Sequence, residues 1–302
     1  MGSKAKGWLL IACACILAGV LLYGGLLFRH SWNVSAVFGT KLETVTEEIR
    51  GSFRDVTIRG DTEDIVFRPS EDGKCRVVFR EHKNEKHTAS VKDGTLLIEQ
   101  ENRGREWYER FTLFSFGKQE ITVWLPKAEY GSLLVRESTG DVTIPKGITF
   151  ADVDVTLGTG DADCRASCPG RIRISTSTGA IRLEDLSAGS LELSVSTGRT
   201  VVKDVSCTSF SSTGNTGSVT LEDVTVSGAM TIRRSTGGVR LDRCDAAELA
   251  IETSTGDVTG TLLTDKVFLA KSSTGRIRVP ETVTGGRCSI KTGTGDIEIS
   301  VP

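Results

Sequence analysis

The sequence predicts an all-β protein: a parallel β-solenoid (β-helix) of about nine coils of 19–20 residues, preceded by an irregular β cap and one N-terminal transmembrane helix. The bias of parallel crossovers predicts right-handed winding. Three observations carry this fold class. From residue 131 onward a Gly-closed turn, most often Ser-Thr-Gly, returns at a nearly constant interval. Apolar and polar residues alternate on both sides of each turn. The composition, with 33 Gly, 6 Pro and 6% aromatic residues, suits many short strands whose corners are made by Gly.

Residues 1–7, MGSKAKG, are basic and read as a cytoplasmic tail. Residues 8–28, Trp8 to Phe28, form a run of 21 residues without a charge. As a helix such a run spans a ~30 Å hydrocarbon core. Lys4, Lys6 and the terminal amine outweigh Arg29. That places the N-terminus in the cytoplasm and the C-terminal domain outside, in a single-pass plasma-membrane protein. A cleaved signal peptide is the rival reading; the length of the run and the lack of a small-x-small site at its end favour the anchor. Residues 29–50 read as a tether. Residues 51–130 lack the Thr-Gly signature, yet RDVTIRG, DIVFRPS, CRVVFRE, GTLLIEQ and QEITVWLP alternate as strands, which predicts N-terminal coils or a cap.

Residues 131–302 form the repeat. Its turn glycines are Gly140, Gly160, Gly179, Gly198, Gly217, Gly237, Gly256, Gly275 and Gly295, always 19 or 20 residues apart. Seven and five places before each Gly, and two and four after it, the residues are predominantly apolar; Ile232, Ile251, Val239 and Leu241 are examples. The places between are polar, as at Arg136, Glu252 and Lys291. Strand, tight turn and strand therefore fold around one interior, and no unit buries its apolar row alone. Gly supplies the positive φ of the corner, and the Thr before it offers a hydroxyl to the turn backbone. Gly214 reads as a local variation beside Gly217, which keeps the spacing.

A net charge of −2 creates no field drawing the chain to nucleic acid. No catalytic, cofactor-binding or metal-binding residues emerge, and no cofactor is predicted. Asp141, Asp161, Asp257 and Asp296 follow the turn Gly and read as turn chemistry rather than a calcium ladder. His82 and His87 read as members of a solvated hairpin rather than metal ligands. Cys164, Cys244 and Cys288 fall at core places, Cys244 in the column of Leu186, Val205, Val224 and Leu263. Cysteines two coils apart lie beyond disulfide reach, which leaves Cys164 with Cys168 as the one feasible pair. Trp107, Tyr108, Phe111, Phe114 and Phe116 stand among four cations in residues 102–118. They predict either a cap over the solenoid or a contact loop for the membrane interface or a partner.

The alternating strands up to VWLPKAEYGSLLVRESTGDV, with Leu125, Pro126, Lys127 and Tyr130 ahead of the first Ser-Thr-Gly coil, resemble a bacterial family: the putative-adhesin domain of unknown function, a β-strand repeat of Gram-positive envelopes. The resemblance covers residues 45–302. It implies a non-catalytic, adhesin-like surface module, with some relatives tied to envelope stress. The family carries no agreed catalytic residues. The expected function is thus envelope interaction through a membrane-tethered solenoid, with an envelope or cell-surface protein as partner. A solenoid glycosidase or polysaccharide lyase is the alternative. The chain stops soon after Ile297 and Ile299, which predicts an open C-terminal edge used for self-association or covered by another protein.

Overall fold

Period-two alternation on both sides of a glycine corner winds this chain into stacked coils. The computed structural model describes residues 15–19, 25, 42–82, 86–101 and 118–302. The N-terminal strands are β1 (Leu42–Glu48), β2 (Asp55–Arg59), β3 (Glu63–Ser70), β4 (Arg76–His82), β5 (His87–Lys92), β6 (Thr95–Gln100) and β7 (Gln119–Pro126). The next coils are made by β8 (Glu129–Thr139), β9 (Val142–Ile144), β10 (Thr149–Thr159), β11 (Ala162–Cys164) and β12 (Cys168–Thr178). Long strands follow that bend through whole coils: β13 (Ile181–Thr197), β14 (Thr200–Thr216), β15 (Val219–Thr236) and β16 (Val239–Thr255). The chain ends with β17 (Val258–Leu262), β18 (Lys266–Thr274), β19 (Ile277–Arg278), β20 (Gly286–Thr294) and β21 (Ile297–Ser300).

Neighbouring coils pair in parallel and in register, so like positions stack: Ile174 faces Leu193, and Ile232 faces Ile251. The expected inward columns are buried through most of the stack; Val135, Val155, Ile174, Ile232 and Ile251 are each at most 2% exposed. One place shifts. Leu263 is exposed, and Leu262 takes the inward position beside Cys244 because the register slips between Leu241 and Cys244.

Coil order departs from chain order at both ends. β20 and β21 lie between β16–β17 and β18–β19. The last coil in sequence is therefore the penultimate coil in space. At the other end β2 and β3 lie between β6–β7 and β8–β9. Beyond β6 and β7 the stack is closed by antiparallel strands, β5 on β6 and β4 on β7, with β1 outside β4. The parallel solenoid has about eight turns rather than nine. The Gly275 coil is incomplete: β19 has two residues, and its inward Ile277 is 43% exposed.

The repeat coils turn at a glycine corner, and four of them share a second one. The repeat glycines hold φ between +129° and +152°. A Cβ on Gly160 would lie 1.9 Å from the Gly140 carbonyl oxygen, so the stacked carbonyl occupies the side-chain volume. Six residues later Asp185, Asp204, Asp223 and Arg243 adopt left-handed φ of 51° to 58°. Asp tolerates this region better than most residues, which accounts for three of the four.

Residues 42–48, within the stretch expected to be a tether, form β1. Among the described residues no helix is long and apolar enough to cross a membrane. The predicted span 8–28 lies outside those residues except for 15–19, which are helical, and 25.

Candidate functional site

The outward turn chemistry is built between coils, not within them. Asp64 Oδ1 accepts the Asp141 amide at 3.0 Å, Asp141 that of Asp161 at 2.8 Å, and Asp161 that of Ala180 at 2.7 Å. Farther along, Asp257 accepts from Asp296 N and Asp296 from Arg276 N, both at 2.8 Å. Each Asp thus satisfies an amide at the corner of the next coil. The hydroxyl that caps the turn glycine carbonyl belongs to the residue three before the Gly, not the Thr directly before it. Thr176 Oγ1 donates to Gly160 O at 3.1 Å and Thr292 Oγ1 to Gly256 O at 3.0 Å. The Thr residues directly before each Gly are exposed and form an in-register row.

Outward charges pair along the stack. Arg182 lies 2.8 Å from Asp161, Lys291 2.9 Å from Glu252, and Arg276 3.0 Å from Asp296. Such exposed pairs stabilise little. They neutralise one another locally instead of converging on a cleft. The depression lined by Arg240, Asp242, Arg278 and Glu298 follows the same rule: Asp242 is paired with Arg243 and Glu298 with Arg278.

Three oddities of the repeat share one cause. Arg234 is 4% exposed and points into the core three places before Gly237. Its Nη2 donates to Thr200 Oγ1 at 3.0 Å and Ser212 Oγ at 2.9 Å, and its Nη1 to the Arg233 carbonyl at 3.0 Å. A Cβ on Gly214 would lie 2.3 Å from the Val195 carbonyl oxygen and 2.8 Å from Arg234 Nη1, so little room remains there beside the guanidinium. Burial lowers the guanidinium pKa to about 10.

The N-terminal coils enclose a polar cluster that sequence reasoning missed. His82 and His87 are buried, at 4% and 5% exposure, not solvated. They also do not sit on a common hairpin, because β5 pairs with β6 and β4 with β7 and β1. His87 Nδ1 lies 2.8 Å from Glu81 Oε2 and Nε2 lies 3.3 Å from Glu63 Oε1. Nδ1 is hydrogen-bonded to Glu81, whereas Nε2 meets Glu63 as a charge pair without hydrogen-bond geometry; an acidic group at each ring nitrogen favours the imidazolium. Burial disfavours that charge, but the two carboxylates outweigh it and raise the His87 pKa. Burial likewise opposes ionisation of Glu63, and His87 with the Asp61 and Thr62 amides reverses it. Glu137 takes the same inward place as Arg234, and both its oxygens are buried without a hydrogen-bond partner. Burial, and then the charge of Glu63, push its pKa up to about 8. Glu63 and Glu137 are 1% and 5% exposed, so this cluster is a sealed structural device rather than a substrate site. The spacing of Glu63, Glu81 and His87 carries no sequence motif that could have revealed it.

Among the described residues no group of His, Cys, Asp or Glu has the arrangement to hold a metal ion. The described cysteines are free, Cys164 and Cys168 included. Burial pushes the Cys164 and Cys288 thiols up to about 12. The loop of Trp107, Tyr108, Phe111, Phe114 and Phe116 lies outside the described residues.

The open end of the stack is not where the chain order places it. Ile297 and Ile299 are 0% and 4% exposed, and Ile277 of β19 lies over Ile297 in register. Among the described residues the uncovered edge belongs to β18 and β19, where Val267, Leu269 and Ile277 are exposed.

In-register coils, Asp and Thr turn ladders and paired outward charges define a β-solenoid repeat protein. The chain belongs to the Toastrack DUF4097 family, which it matches over residues 53–302. A solved structure from Parabacteroides distasonis ATCC 8503, named a putative lipid binding protein, is similar at a TM-score of 0.54 and 16% identity, over 85% of this chain and 97% of that one. Another from the same organism, named a putative adhesin, gives 0.52 and 11%, over 86% and 98%. These likenesses concern the fold. No curated protein matches the sequence.

Proposed function

We propose that the chain is a membrane-anchored, extracytoplasmic, non-catalytic module of the cell envelope, acting as an adhesin-like or as an envelope-interaction, stress-related module. The observation that supports this most directly is the solenoid surface itself. Its charges are neutralised pairwise along the stack, which suits broad contact rather than chemistry at one point. The uncharged run Trp8–Phe28 supports the anchor. The adhesin and lipid-binding names of similar folds agree with a contact role. Protease added to intact cells should remove a C-terminal tag from the full chain, and affinity recovery of that chain from solubilised envelope should bring down a partner. A tag protected until the cells are opened would overturn the location. Turnover of envelope polysaccharides by the purified chain would favour the glycosidase or lyase reading instead.

A further inference from the structure

Every interior coil is paired on both sides, and the N-terminal end is closed by antiparallel β5, β4 and β1. At the other end the parallel strands β18 and β19 have β20 and β21 on one side and, among the described residues, no antiparallel cover on the other. Leu269 and Ile277 are 51% and 43% exposed there, and Phe268 and Ala270 only partly buried. Such an edge takes up an added strand unless something blocks it.

Charge identifies the occupant. Approaching the edge, two outward ladders pass from carboxylate to cation: Glu298 to Arg278 at 3.5 Å, Asp296 to Arg276 at 3.0 Å. In a third ladder Glu252 pairs with Lys291 at 2.9 Å, and Lys271 then lies over Lys291 in register. The terminal strands therefore present Lys271, Arg276 and Arg278, with no acidic residue between Lys266 and Arg278. Arg276 also occupies the corner place where Asp296 and Asp257 accept amides in the two preceding coils. The two arginines flank the inward Ile277, so they match an acidic-apolar-acidic strand. A strand of this kind within the chain, Asp296-Ile297-Glu298, is seated on the opposite side of the same arginines. A second copy is disfavoured at this edge, because symmetric pairing sets three cations against three.

We infer that β18 and β19 bind an extended acidic segment of a partner protein, added as the next strand of the solenoid with carboxylates opposite Arg276 and Arg278. This rests on the interaction-module reading and names its binding edge and the chemistry of its partner.

The test uses the full chain in detergent micelles and two labelled peptides, KTGTGDIEISV and its neutral counterpart KTGTGNIQISV, followed by fluorescence anisotropy. The acidic peptide should bind about tenfold or more tightly than the neutral one. The double variant Arg276→Gln, Arg278→Gln should lose about the same factor at an unchanged melting temperature. Arg173→Gln, which removes an exposed cation from the side of the stack, should not matter. Equal binding of the two peptides, no binding of either, or an equal effect of Arg173→Gln would each overturn the assignment. So would an unliganded dimer that the double variant dissolves, since the occupant is then a second copy. Failure here with partner recovery from envelope intact would remove this edge and leave the envelope role standing.

Discussion

Single side chains decide how much each coil tolerates. Ile251 is 2% exposed and the adjacent Glu252 is exposed. Ile251→Asp puts an unpaired charge into the core and should destabilise by roughly 3–5 kcal/mol, against about 0.5 kcal/mol or less for Glu252→Ala. Equal melting temperatures would refute the inward register. Arg234 makes a sharper case. Arg234→Ala strands the Thr200 and Ser212 hydroxyls and opens a void, at a cost of about 2–4 kcal/mol in urea denaturation. Adding Thr200→Val and Ser212→Ile, with Thr rather than Ala at 234 and Gly214 kept, removes the stranded hydroxyls and should recover most of that loss. A combined variant as unstable as Arg234→Ala would show that Thr200, Ser212 and Arg234 do not form one unit. At Glu137 the folded carboxyl keeps its proton up to about pH 8, whereas the unfolded one releases it near 4.5. Its contribution is complete below pH 4.5 and falls as pH rises through that window. His87, with its pKa raised from 6.5, adds a loss of the same sign on the alkaline side. The protein should therefore melt lower at pH 9 than at pH 6, and Glu137→Gln should flatten the drop. An unchanged pH profile in that variant would remove Glu137 as the cause.

The order of the coils belongs to the strands. Thr255 lies in register with Thr294, and Thr294 with Thr274, so Thr255 and Thr274 are two coils apart. Cysteines introduced at 255 and 294 should form a disulfide, and cysteines at 255 and 274 should not, because next-nearest strands are ~9–10 Å apart. The reverse result would mean that the coils stack in chain order. Five strands of the N-terminal region were legible from alternation alone. β1 and β5 were not: LETVTEE carries three Glu, and HTASVK follows the polar HKNEK run. Both are antiparallel cover strands whose place is set by the edges they close rather than by an apolar row of their own.

The whole molecule gains its stability from stacking. In-register hydrogen bonding and continuous apolar columns run through the described coils without a disulfide. Cys164, Cys168, Cys207, Cys244 and Cys288 are buried, and their raised pKa values keep the thiolate scarce. The melting temperature should be indifferent to reductant. Alkylation without prior reduction should modify these five cysteines in denaturant and leave them largely unmodified in the native state. A fall in melting temperature on reduction would point to a crosslink absent from this structure.

The sequence by itself determined the coil: its length, its glycine corners, and which residues face inward. Those features follow from local sterics and from a two-residue side-chain period, and both can be read along one strand. It pointed to Asp at the corners without saying whose amide each carboxylate caps. Only the tertiary structure decided the stacking order, the burial of His87 and Glu137, and the shared role of Thr200, Ser212, Gly214 and Arg234. The reason is physical. Like coils offer like edges, so a spacing of 19 or 20 residues is compatible with more than one order of stacking. The choice is made by contacts between residues far apart in sequence, such as Asp257 with the Asp296 amide and Asp296 with Arg276. Those contacts exist only once the coils are laid on one another.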